Sequence, residues 1–413
     1  MMTGVSCSLP LKQLYKVVLE KSWYTVNEYV EECYMKNLTS HERLMRIFRN
    51  EQIDRPALKL WGAAPNADGL LHESYRPVAE LAAEKTDLFV YSAGYDLDVY
   101  AGAAMAKLSE ERIEETNDPN WKNYIKTIHT PKGDLSLRHQ MSALGDPGYE
   151  VEHYIKDEDD IEKLLSLPYE APEALSRDHY DRSVASIGDR GVSMISLPHA
   201  AFSVETLMGS EMLAYLSVDN RELVDTLCAT YARRIYDHTK KILETGIENP
   251  IFSWVGPELF LPPLMSPKDF DDFVYKYDKP LCDLIHEHGG YVWVHSHGKV
   301  AKFMDRFIDM GVDVLNPLEP GPNGDIVMSE LVEKYKGRIG LEGNIEIQEI
   351  LLSSRDRLAA LIDECVEAGE KSGRFILCPS AGYMEYARPT EQYIDNLQFF
   401  VRYGLEAVER YRK

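Results

Sequence analysis

Cysteine is scarce in this chain and shows no pattern. Six are spread over 413 residues (Cys7, Cys33, Cys228, Cys282, Cys365 and Cys378) with no paired spacing, so neither a disulfide framework nor a zinc knuckle is built into the sequence. Cys228 and Cys282 fall in apolar helical patterns and are expected in the core. Long apolar runs are also missing: no stretch approaches the ~20 residues of a membrane helix. The opening segment MMTGVSCSLPLKQLYKVVLEK lacks the charged start, apolar run and cleavage site of a secretory signal, so a cytoplasmic protein is expected. Basic excess is the third absence. With 68 acidic against 45 basic residues, the net charge of -23 repels phosphate backbones and argues against a nucleic-acid partner.

What is present is a slow alternation. Eight short β-rich runs occur at 56–61 (PALKLW), 87–94, 191–198, 250–256, 290–298 (GYVWVHSHG), 312–320 (VDVLNPLEP), 338–344 (RIGLEGN) and 374–382 (RFILCPSAG). Most are separated by segments with apolar residues three and four apart, the helical period. In RELVDTLCATYARRIYDHTKKILETG, Leu223, Leu227, Tyr231 and Ile235 share a face and Gly246 is a natural stop. Pro280 is expected to kink or divide the stretch from Pro267 to His288. Eight strand–helix repeats predict an α/β fold, a (β/α)8 TIM barrel, with a doubly wound sheet as the other reading. Residues 1–50 read as a helical N-terminal extension and 51–413 as the barrel. Residues 115–185 read as an insertion over the barrel mouth, with a hairpin around Pro131–Asp134 and an acidic-capped helix at DEDDIEKLLSLP.

Barrel active sites lie at the C-terminal ends of the strands. Those ends nominate Trp61, Tyr95, His199, Trp254, Glu258, Asn316 and Ser380 as substrate-binding residues, and Glu319, His295 and Tyr383 as catalytic residues. His295-Ser296-His297 is the sharpest feature, because residues two apart on a strand project to the same side. Two imidazoles with Glu319, ahead of Glu342, and with Cys378 would make a ligand set for Zn²⁺ with an open position. The competing reading is that the histidines bind substrate or brace a carboxylate. Glu319 is read as functional. Glu342 is read as structural, with Gly343 at positive φ and Asn344 capping the next helix.

The segments LPHAAFSVETLMG, HEHGGYVWVHSHGKV, MGVDVLNPLEP, IGLEGNI and FILCPSAGYMEYARPTEQYIDNLQFFV resemble the uroporphyrinogen decarboxylase superfamily. DRPALKLWG and TPKGDL are similar to its methyltransferase side, which includes the cobamide-dependent methyltransferases. The resemblance implies a (β/α)8 barrel with its site at the C-terminal mouth. It also locates departures. Trp61 and Pro65 stand where tetrapyrrole decarboxylases carry two arginines, and LFVYSAGYD has no clear match to their catalytic aspartate, although Asp96 lies nearby. The zinc-binding branch has His-x-Cys on strand five and a cysteine after strand eight; here His297 and Ala381 take those places. The expectation is methyl transfer from a small methylated or methoxylated substrate to a corrinoid protein acting as partner. The alternatives are a decarboxylase or lyase acting on a small acid or tetrapyrrole, and a non-catalytic binding barrel.

Overall fold

A computed structural model describes residues 38–62, 72–144, 148–173, 175–382 and 389–413. Tyr383, Pro65 and most of the expected N-terminal extension lie outside them. All eight predicted runs carry a strand. In chain order these are β1 (Ala57–Leu58), β2 (Leu88–Tyr91), β7 (Gly191–Ser196), β8 (Ile251–Val255), β9 (Tyr291–His295), β10 (Val314–Asn316), β11 (Gly340–Ile345) and β12 (Phe375–Pro379). They form one parallel sheet in the order β1-β12-β11-β10-β9-β8-β7-β2. This is the sequential order of a barrel, with β1 and β2 at the two ends.

Asp87 bridges those ends. Its backbone N–H donates to the Leu58 carbonyl at 2.7 Å, and its carboxylate accepts from the Leu58 N–H at 2.8 Å. The same carboxylate accepts from Arg43 at 2.6 Å, while Arg43 makes a two-pronged bond to Asp54 at 2.7 and 2.8 Å. All three side chains are buried. Arg43 stands on the helix Ser40–Phe48, which Thr39 and Glu42 cap reciprocally. The apolar face of that helix, with Leu44, Met45, Ile47 and Phe48, plugs the N-terminal end of the barrel against Met194, Ile251, Trp293, Val314 and Ile376.

Alternation along the strands separates the two sides of the sheet. Ala57, Ile251, Trp293 and Ile376 belong to the interior group, and their neighbours Leu58, Phe252, Val294 and Leu377 to the larger cluster shared with the helices. The helix Arg221–Glu244 buries Leu227, Tyr231 and Ile235 as expected, and Gly246 follows it at φ 77°. Cys228 and Cys282 are core residues. Pro280 does not divide its segment. A π-helical turn, Phe270–Tyr275, precedes the helix Lys276–Glu287 and widens the backbone just before the residue that has no N–H to give.

After β2 the chain builds a separate four-stranded antiparallel sheet: β3 (Ser109–Glu115), β4 (Trp121–Thr130), β5 (Gly133–Ser142) and β6 (Tyr149–Glu152). Thr130 pairs with Gly133, which sets the expected hairpin at Pro131-Lys132. Asp157 caps the expected acidic helix, Glu158–Leu165. The sheet starts six residues earlier than expected, because SEERIEE has no apolar alternation: this strand is almost wholly exposed. The insertion is tied to the helix following β7, where the Ile155 N–H donates to the Leu207 carbonyl at 2.9 Å. None of the described helices is long and apolar enough to cross a membrane.

Candidate active site

Inside the barrel the polar residues form two tiers above the Trp293 floor. The lower tier centres on Glu342, whose side chain is fully buried. Lys59 Nζ donates to its Oε1 at 2.7 Å, Asn316 Nδ2 to the same oxygen at 2.9 Å, and Trp293 Nε1 to Oε2 at 2.8 Å. The ammonium also lies 4.1, 4.4 and 4.7 Å from the ring centres of Trp61, Phe89 and Trp293. Carboxylate and aromatic faces together offset the cost of taking a cation out of water, and despite burial the nearby Glu342 charge keeps the Lys59 amine above its ordinary range.

The upper tier carries the histidines. Both face the same side, with ring centres 4.4 Å apart and planes at 88°. His295 Nδ1 lies 2.6 Å from Asn316 Oδ1, and Trp61 meets the His295 ring edge-on at 5.4 Å. Burial is the main reason His295 is held neutral, with its pKa pushed down to about 4. His297 differs. Burial alone would lower its pKa, but its Nδ1 bond to Glu319 Oε1 at 2.8 Å shifts it upward overall. Glu319 Oε2 accepts from the Gly298 N–H at 2.7 Å. Burial opposes its charge, but these partners hold its pKa below the ordinary carboxylate range. Two further carboxyls, Glu258 and Glu346, are shifted upward, by burial first.

His297, Gly298, Glu319, Glu346 and Ser380 line an open cavity of about 330 Å³. A larger cavity of about 580 Å³ reaches down the outer layer past Met328, Leu361 and Cys365. It shares Glu346 with the first but touches neither histidine, so we place the chemistry in the smaller one.

The other nominated residues separate by strand face. Trp61 is half-buried at the mouth, donating from Nε1 to the Pro379 carbonyl at 3.0 Å. Asn316 is buried beneath His295, and Ser380 accepts from the Ile347 N–H at 3.1 Å. Trp254 turns to the opposite face, with Phe252, into the layer between sheet and helices. His199 is buried against Asp278, Nε2 to Oδ2, at 2.9 Å. Tyr95 is buried and donates to the Ser176 carbonyl at 3.0 Å. Trp254 is packed, and His199 and Tyr95 are bonded, into the scaffold; none of the three is among the residues lining the cavity. Asn344 lies within β11 and caps nothing; Glu346 is the residue preceding the next helix. Sequence reasoning passed over Lys59, Trp293 and Glu346. Lys59 was within reach of it, because it lies two residues before Trp61 and must share its inward direction.

The zinc set expected from the sequence does not fit this arrangement. Glu319 is committed to His297 and Gly298. Cys378 is fully buried, hydrogen-bonds Glu342, and is pushed well above the ordinary thiol range by burial first and Glu342 second. Among the described residues no group of three or more His, Cys, Asp or Glu is arranged to hold a metal ion.

The model of the uroporphyrinogen decarboxylase (URO-D) family matches residues 139–403, well over half the chain. The chain belongs to that family. Its similarity to curated members is distant: it is 25% identical over 148 residues to the uroporphyrinogen decarboxylase of Parasynechococcus marenigrum (strain WH8102), and 26% identical over 148 to that of Synechococcus sp. (strain CC9902). Those matches cover 35% of this chain and 38% of the relatives' length. Among solved structures, a methyltransferase from Methanosarcina mazei superposes with a TM-score of 0.57 at 16% identity, over 90% of this chain and 99% of that one. At that identity the likeness speaks to the barrel fold alone. The URO-D barrel is thus shared.

Proposed function

We propose that this URO-D barrel transfers a methyl group from a small methylated or methoxylated substrate to a corrinoid carried by a partner protein. The observation that carries the reading is the His297–Glu319 pair on an open cavity, with the Gly298 N–H fixing the second carboxylate oxygen. Glu319 holds the Nδ1–H of His297, which leaves Nε2 to address the substrate. A reduced corrinoid, when bound, supplies the electron pair that takes the methyl group. As the bond between methyl carbon and heteroatom breaks, its electrons stay on the oxygen or nitrogen, and the His297 imidazolium gives that atom a proton from Nε2. Glu258, shifted upward by burial, is within electrostatic reach of His297. Tyr91 and Val255 end β2 and β8, Phe202 and Leu264 lie in the segments after β7 and β8, and the four remain 51%, 43%, 36% and 50% exposed. They offer an apolar rim to a docking partner. No step requires a metal.

The relatives' names favour decarboxylation instead. Against it, Glu319 and Glu346 line the cavity and no arginine is among the described residues lining it. A polycarboxylate there would be desolvated without charge compensation. The test is anaerobic incubation of the purified protein with free cob(I)alamin and a panel of methanol, methylamines and methoxylated aromatics, read by the absorbance of methylcobalamin. Methyl transfer that falls in Glu319→Gln supports the reading. Turnover of uroporphyrinogen or a small acid with release of CO₂, and no methylcobalamin from any donor, overturns it.

A further inference from the structure

The buried lower tier has a directional logic that reaches the upper one. Lysine ammonium and indole N–H are donors only. Lys59 Nζ at 2.7 Å and Trp293 Nε1 at 2.8 Å therefore make both oxygens of Glu342 acceptors. The Asn316 atom 2.9 Å from Glu342 Oε1 must then be its amide nitrogen, and its carbonyl oxygen is turned toward His295 Nδ1, 2.6 Å away. A carbonyl oxygen cannot donate, so the proton between them belongs to His295 Nδ1.

We infer that Glu342 is a positioning residue: held by Lys59 and Trp293, it orients Asn316 and so locks His295 as the Nδ1–H tautomer, presenting a bare Nε2 lone pair to the mouth. The inference rests on the site's hydrogen bonds and not on which reaction the mouth performs. It gives the neighbouring imidazoles different jobs. His295, kept neutral by burial, is a fixed acceptor, able to take a hydrogen bond or proton from a substrate. His297, backed by the Glu319 carboxylate, is the donor. A substrate group carrying both a lone pair and a proton, such as a hydroxyl or an amine, is matched by two such rings lying 4.4 Å apart at right angles. A charge pair two layers down thereby sets the polarity of the mouth without touching the substrate.

The direction of the chain can be reversed on purpose. In K59M/E342Q the buried charges leave together. Trp293 still donates, so it claims the new carboxamide oxygen, and the amide nitrogen of residue 342 faces Asn316. Asn316 must then offer its carbonyl downward and its NH₂ upward, and His295 Nδ1 becomes an acceptor with the proton moved to Nε2. The experiment is a two-bond proton–nitrogen correlation spectrum of the full-length protein labelled with ¹⁵N-histidine, with the His295 signals assigned by their loss in H295Q. The wild type should show Nδ1 protonated and Nε2 bare; K59M/E342Q should show the reverse. Asn316→Ala supplies a second test should the double variant fail to fold. Without its acceptor the ring relaxes to the mixture of a free imidazole, in which Nε2–H dominates, so the Nδ1–H share should fall from nearly all to a minority. A wild-type His295 with bare Nδ1, a double variant that keeps Nδ1–H, or an unchanged tautomer in Asn316→Ala would each overturn the inference. A Glu342 that only braced the fold would alter stability and leave the tautomer where it is.

Discussion

Replacing Lys59 by methionine leaves the barrel interior nearly the same volume but strips Glu342 of its counter-ion. The carboxylate stays fully buried, facing only neutral groups: the Trp293 indole, the Asn316 amide and the Cys378 thiol. Breaking a buried pair from one side costs about 3–5 kcal/mol, because the remaining charge is left uncompensated in a low-dielectric interior. Loss of the ammonium from the Trp61, Phe89 and Trp293 faces, 4.1–4.7 Å away, adds to that. Glu342→Gln alone should also destabilise, but by less, since the stranded ammonium keeps its three ring faces and a carboxamide oxygen. The double variant K59M/E342Q removes both charges and the desolvation cost with them, so it should lie within ~1–2 kcal/mol of wild type. The assay is a double-mutant cycle by urea denaturation, followed by tryptophan fluorescence. A favourable coupling of at least ~2 kcal/mol is expected, since residues in direct contact couple by ~0.5–3. Additive single effects, or a double variant worse than either single one, would refute the argument that the pair matters as a compensated charge.

The pH response of the His297–Glu319 pair has a defined window. His297 is raised from 6.5, so its contribution is full below that value and lost as pH rises through its folded pKa; Glu319 is lowered from 4.5, so its contribution is full above that value and lost as pH falls through its folded pKa. The stability difference between wild type and Glu319→Gln should therefore be largest at about pH 4.5–6.5, and a urea series showing its maximum outside that interval would contradict the pairing. On the proposed reaction, His297→Ala should lower kcat/KM by ~10²–10⁴, the usual range for losing a general acid, and a loss below tenfold would remove it from that role. Zinc titrated into the metal-stripped protein should bind no more tightly to wild type than to His297→Ala, measured by calorimetry; a clear preference for wild type would mean that residues outside the described set complete a site. Arg43→Met should loosen the barrel closure by ~1.5–3 kcal/mol, the loss of charged hydrogen bonds, since Asp54 keeps Arg412 and Asp87 keeps Arg55; a change under ~1 kcal/mol would show that the closure does not depend on it.

The strands were legible because each needs only a short apolar run bounded by turn residues, and His295-Ser296-His297 was legible because a period of two is enough to place both rings. What stayed hidden depends on distance in the chain. Glu319 pairs with His297 across 22 residues, Lys59 with Glu342 across 283, and Arg43 with Asp87 across 44. No local period encodes such partners. Trp254 and His199 were misdirected for a simpler reason: being near a strand's end does not say which face a residue takes. The alternation that set Ile251 inside the barrel had already assigned Trp254, three residues on, to the other side.

The hydrogen bonds at the strand ends bear on the zinc set expected from the sequence. A zinc site at these positions would need ligands free to turn toward one point. Here the nearest carboxylate, Glu319, is held at both oxygens, and the strand-eight thiol lies a tier too low, bonded to Glu342. The same strand ends hold Glu258 and Glu346 in surroundings that disfavour their charge and shift both carboxyls upward. A barrel with that equipment can assist the departure of an oxygen or nitrogen group by protonating it. It has little with which to hold several carboxylates. On the proposed reaction, both features suit small neutral or cationic methyl donors better than the acid-rich tetrapyrrole after which the family is named.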